Sequence, residues 1–137
     1  MTKFIVQGYP AFVYTGGKEF SPAASAVVFL HGTAFDHSTW QWQSRYFAHH
    51  GHAVLAPDLP AHGQSPGTPR TSIEAMSDWV AALLEAAGVQ RACLVGHSMG
   101  ALIALDLALR HGAKVERMAL LGAALPMKVN DAFLAAA

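Results

Sequence analysis

Cysteine is nearly absent: Cys93 is the only one in 137 residues, so no disulfide framework can form within the chain. It sits in the apolar run "RACLVG" with no histidine or asparagine beside it in a turn, and it reads as packing rather than as a nucleophile. A cytoplasmic location is the corresponding expectation. Charge is also scarce, with Asp, Glu, Lys and Arg making up 13% of the chain and nine basic residues balancing nine acidic ones. Neither sign gathers into a stripe that could follow a phosphate backbone, so no nucleic-acid partner is expected. No apolar run reaches the length of a membrane span, and "MTKFIVQGYPAF" is too broken by Gly8 and Pro10 for a signal-peptide apolar region. No membrane partner is expected. Nor does any candidate strand lead into G-x-G-x-x-G, since Gly96 and Gly100 stand four apart, which removes the dinucleotide-binding pattern.

Apolar residues, by contrast, make up 53% of the sequence, enough for one domain with a substantial core and too many for a disordered chain. Phe4 to Tyr14 is rich in β-formers with a break at Gly8-Tyr9-Pro10, which predicts two short strands. Ala26 to Leu30 is continuously apolar, the mark of a strand buried on both faces. A helix is expected from Ser38, as cap, to Gly51, as stop, followed by a strand at Ala53 to Ala56. The stretch "PDLPAHGQSPGTPR" holds four prolines and two glycines in fourteen residues and must be a surface loop. Thr71 and Glu74 form a T-x-x-E capping box before a helix that Gly88 ends. Strand "ACLVG", helix "MGALIALDLALRHG" and strand "VERMALLG" complete the series, and Asn130 is placed to cap a final short helix. The order β-β-β-α-β-α-β-α-β predicts an α/β fold: a mostly parallel sheet with helices on both faces.

Chemistry concentrates in Gly96-His97-Ser98-Met99-Gly100, a G-x-S-x-G between strand and helix. Small flanking residues let strand and helix approach closely, and the serine hydroxyl is lifted over a helix N-terminus that favours developing negative charge. An acyl-transfer oxyanion needs two donors. The amide of Met99 is one, and the loop His31-Gly32-Thr33-Ala34 supplies the other from Thr33 or, one residue on, Ala34. His31 is expected to hold that loop through a ring hydrogen bond, and His97 to shape the pocket wall or bond nearby backbone. No cysteine or carboxylate completes a tetrahedral set with His49, His50 and His52, so neither a metal nor a cofactor is expected.

The motifs "FLHGTAFDHSTW", "VLAPDLPAHGQS" and "LVGHSMGALIAL", in this order and spacing, resemble the N-terminal half of the α/β-hydrolase fold, within its esterase, C–C hydrolase and haloperoxidase-like branch. The resemblance runs from Phe4 to Met127. It implies that residues 1–137 form the N-terminal segment of one such domain, strands 1–6, ending where the lid begins. It also implies Ser98 as nucleophile and the Thr33 and Met99 amides as oxyanion hole, for a small-molecule ester, thioester or lactone. A haloperoxidase or perhydrolase reaction and a non-catalytic binding module are the alternatives. Along this fold the acid and the histidine follow the serine. After Ser98 come only Asp106, Glu116, Asp131 and His111, and at 1.5 Å per residue the helix carries Asp106 roughly 10 Å from the turn. The acid and base are therefore expected from outside these residues. The strand Val115–Leu121 would then expose an edge that either a further segment or a second copy covers.

Overall fold

A computed structural model describes residues 2–126 and 131–136. Strands β1 (Thr2–Val6) and β2 (Tyr9–Tyr14) form a hairpin in which Thr2 faces Val13 and Val6 faces Tyr9. The turn falls at Gln7-Gly8, both at positive φ, as a two-residue hairpin requires. It lies ahead of the expected break, because Pro10 takes a place in β2 opposite Ile5. Strands β3 (Ala26–Leu30), β4 (Ala53–Pro57), β5 (Ala92–His97) and β6 (Val115–Leu121) follow. The sheet order is β1-β2-β4-β3-β5-β6, parallel from β4 onward, with β2 antiparallel to β4.

Helices cover both faces. On one, α2 (Ile73–Ala86) and α3 (Met99–Arg110) pack Trp79, Leu83, Ile103 and Leu107 onto Val28, Leu30, Leu55 and Leu94. On the other, a 3₁₀ turn (His37–Trp40) and α1 (Gln41–His49) place Trp40 and Ala48 over Val27, Phe29, Val54 and Ala56. Successive residues of β3 thus feed opposite cores, which is why its sequence shows no polar alternation. Cys93 is half-buried in β5 and packs on the α1 side, and burial pushes its thiol pKa up, in keeping with a packing role. A short α4 (Asp131–Ala136) closes the described chain; the expected cap Asn130 lies outside the described residues. No helix among the described residues is long and apolar enough to cross a membrane.

Two helix starts differ from expectation. The cap of α2 is Ser72, whose Oγ accepts from the Ala75 amide at 3.0 Å, and not Thr71. Ser72 is the last extended residue (φ −143°, ψ 156°), so the box position three residues on is Ala75; Glu74 lies in the first turn, where its charge still suits the helix dipole. Before α1 the cap is Asp36, which accepts from the Ser38 amide at 2.8 Å and opens the 3₁₀ turn ahead of the α-helix. Gly51, at φ +89°, follows the end of α1 as expected.

Ser72→Ala is expected to lower unfolding free energy by about 1 kcal/mol, and Thr71→Ala by much less. Urea denaturation of the two variants checks the assignment; equal losses would reverse it.

Candidate active site

Ser98 stands between β5 and α3 at φ +55°, ψ −116°, a backbone conformation that L-residues adopt only under constraint. The constraint is close packing. A Cβ on Gly100 would strike the carbonyl oxygen of Leu30 and come within 2.8 Å of the His31 oxygen, while one on Gly96 would strike the Gly100 carbonyl and lie 2.6 Å from the Ala101 nitrogen. The first turn of α3 is thereby seated on the end of β3. Ser98 donates its own amide to Leu121 O at 2.9 Å, tying the turn to β6. Met99, as first residue of α3, has an amide with no acceptor inside the helix.

The loop after β3 lies against this turn. A Cβ on Gly32 would stand 3.4 Å from Ser98 Cβ, and Thr33 Oγ1 donates to Met99 Sδ at 3.3 Å. Phe35 N donates to Gly32 O at 3.2 Å, closing a turn whose third residue, Ala34, takes φ +64°. Of the Thr33 and Ala34 amides, Thr33's belongs to the residue whose side chain touches Met99. Trp40 is buried against Phe29, and Trp42 is exposed to solvent.

His31 is fully buried and holds the loop, as expected. Its Nε2 accepts from Leu59 N at 3.0 Å, which leaves the proton on Nδ1 to donate to Gly32 O at 2.8 Å. Burial, above all, lowers its pKa, with the nearby His62 adding to the effect. His97 does not make the expected backbone bond through Nδ1: that atom is buried and has no partner among the described residues.

Sequence reasoning overlooked the Asp58 hub. Asp58 follows β4, is fully buried, and accepts from His37 N and His37 Nδ1, both at 2.8 Å, and from Gln64 N at 2.7 Å. A Cβ on Gly63 would collide with its carboxylate. The available signal was a carboxylate one residue past a wholly apolar strand, because a buried charge must be matched by several donors. Asp36, His37 and Asp58 bring ligand atoms within 4.8 Å of one another, the one such group among the described residues. Those atoms are already engaged: Asp36 by the Ser38 amide, and His37 and Asp58 by each other. His49 and His50 bond the Arg45 and Tyr46 carbonyls of their own helix.

Asp106 and His111, both after Ser98 in the chain, are engaged elsewhere. Asp106 pairs with Arg110 at 2.8 Å, and that bond holds its carboxyl pKa down. His111 Nε2 lies 2.9 Å from Asp78 of α2, beyond the far end of α3. A cavity of about 370 Å³ lined by Lys18, His49 and His52 opens beside Ala53, at the opposite end of the parallel strands from Ser98.

The sequence profile of the alpha/beta hydrolase fold matches residues 25–137. The chain belongs to the α/β-hydrolase fold family. Among its relatives are an sn-1-specific diacylglycerol lipase of Mus musculus, 39% identical over 68% of this chain and 31% of the lipase. Another is a pimeloyl-[acyl-carrier protein] methyl ester esterase of Aromatoleum aromaticum, 40% identical over 70% of this chain and 36% of the esterase. A solved N-acyl homoserine lactone degrading enzyme superposes with a TM-score of 0.74 at 30% identity, covering 87% of this chain and 44% of that one. The chain spans about a third of the length of the curated relatives it matches. As an α/β-hydrolase segment it contains the hairpin, the parallel core and the glycine-flanked serine turn in one sheet.

The depressed His31 pKa has a sign for stability. Below the unfolded value of 6.5 the unfolded chain binds more protons at this site than the folded one. The contribution of His31 is therefore complete above that value and is lost as pH falls towards the lower folded pKa. The stability gap between wild type and His31→Gln is expected to shrink between pH 7.5 and pH 5.5 in urea titrations, and a gap that widens on acidification would refute the neutral tautomer.

Proposed function

We propose that this segment carries the nucleophile and oxyanion hole of a serine hydrolase acting on a carboxylic ester, thioester or lactone. The supporting observation is Ser98 at φ +55° on a turn seated over the N-terminus of α3, with the Gly32-Thr33 loop packed against it. Ester-cleaving relatives on the same fold agree with the reading.

In this mechanism Ser98 Oγ bonds to the substrate carbonyl carbon while its proton passes to a histidine base. The carbonyl π-electrons move onto oxygen, and the amides of Met99 and Thr33 receive that charge, aided by the α3 dipole. Collapse expels the alcohol or thiol, which takes the proton from the histidine. Water, deprotonated by the same histidine, then releases the acid and restores Ser98. The histidine and its orienting carboxylate come from outside these residues, since Asp106 and His111 are held in pairs along and beyond α3. No metal or cofactor takes part in these steps.

The same reading assigns a partner to β6, an edge of the described sheet on which Met118, Leu120 and Leu121 are each more than 40% exposed. A further strand bearing the rest of the site pairs there, covering unsatisfied backbone groups and apolar side chains together.

In the protein at the length of its relatives, a fluorophosphonate probe is expected to label Ser98, and Ser98→Ala to lower p-nitrophenyl butyrate hydrolysis by about 10³-fold or more. Absence of labelling would defeat the hydrolase reading and leave a binding module. For the edge, light scattering of residues 1–137 alone is expected to show self-association, and a stable monodisperse monomer would overturn the β6 proposal.

A further inference from the structure

His97 occupies a position that the steps above do not use. It is the last residue of β5, and it shares the strand parity of Cys93 and Val95, whose side chains pack on the α1 side of the sheet. Its neighbours in the sheet are β3 and β6. The ring therefore stands where the loops leaving those two strands diverge.

Both loops present a glycine to the ring. A Cβ on Gly32, in the loop after β3, would lie 3.4 Å from His97 Nδ1; one on Gly122, just after β6, would lie 3.3 Å from Nε2 and 3.4 Å from Cδ2. Opposite edges of one imidazole are thus within a methyl's reach of two separate backbones. Gly122 is held at φ +61°, which itself favours glycine. Nδ1 is buried without a partner among the described residues. The ring's contacts with the two loops are therefore steric ones, at Nδ1 on one edge and at Nε2 and Cδ2 on the other.

Resting on the hydrolase reading, we infer that His97 is a positioning residue: its ring spaces the Gly32-Thr33 loop from the Gly122 loop and so sets the distance between the Thr33 amide and Ser98. The same contact couples the oxyanion loop to whatever moves the chain after β6. Small displacements at such a site are costly, because oxyanion donors act over hydrogen-bond distances and a shift of an ångström removes most of their effect.

The experiment compares His97→Ala, His97→Phe, Gly122→Ala and the His97→Ala/Gly122→Ala double variant in the full-length enzyme, with ester turnover as readout. His97→Ala is expected to lower kcat about tenfold with KM within about threefold and the pH profile unmoved, while His97→Phe, which restores ring thickness without nitrogen, stays within about threefold of wild type. Gly122→Ala is expected to lower kcat when His97 is present and to add nothing in the His97→Ala background, a non-additivity that a general stability loss does not produce. Phe as impaired as Ala, or the same Gly122→Ala loss in both backgrounds, would overturn the spacer. If wild type shows no Ser98-dependent turnover, the hydrolase reading fails and the spacer is read by amide hydrogen exchange at Gly32 and Thr33. Exchange faster in His97→Ala and restored in His97→Phe then supports it, and exchange unchanged in both refutes it.

Discussion

The contact on which the site rests is backbone against backbone: Gly100 of α3 lies so close to Leu30 at the end of β3 that no side-chain atom fits between them. Seating the helix there requires the chain to reverse within one residue after β5, and Ser98 absorbs the reversal at positive φ. Strain of this kind persists only where surrounding packing over-determines it. The buried Leu30, Leu94, Ile103 and Leu107 provide that packing, so the core behind the turn and the placing of the half-buried serine in front of it are two results of one arrangement.

A second layer holds the loop that faces the turn. His31 reaches from β3 to the Leu59 amide beyond β4, and Asp58, next to Leu59, grips His37 and Gln64. Phe12 N donates to Ser65 Oγ and its carbonyl accepts from Asp58 N, which fastens the Pro-rich segment to β2. Long loops without regular structure are usually mobile, but here polar bonds to His31, His37 and Phe12 fix residues 58–65 beside the Gly32-Thr33 loop. The polar groups lie just beyond the ends of β3 and β4.

Much of this was legible in the residues. The six strands, the order of helices between them, the doubly buried β3 and the glycine-flanked serine follow from apolar runs, turn residues and spacing, all of which are local or short-range signals. The caps were misplaced by one residue at Ser72 and by two at Asp36, because several adjacent residues can cap and only the extended backbone of one of them selects it. The Asp58–His37 pair joins residues 21 positions apart, and His97 Nδ1, which has no partner among the described residues, carries no sequence signature at all.

Sequence by itself determined the alternation of strand and helix, the two-sided core and the presence of a serine with a glycine two residues away on either side, because hydrophobic period and glycine placement act within a few residues of chain. Tertiary structure decided which groups meet: the backbones of Leu30 and Gly100, Gly32 with the Ser98 side chain, and the His97 ring with both Gly32 and Gly122. Those distances depend on sheet order, which places β5 between β3 and β6, and sheet order is a property of long-range pairing that no local pattern encodes.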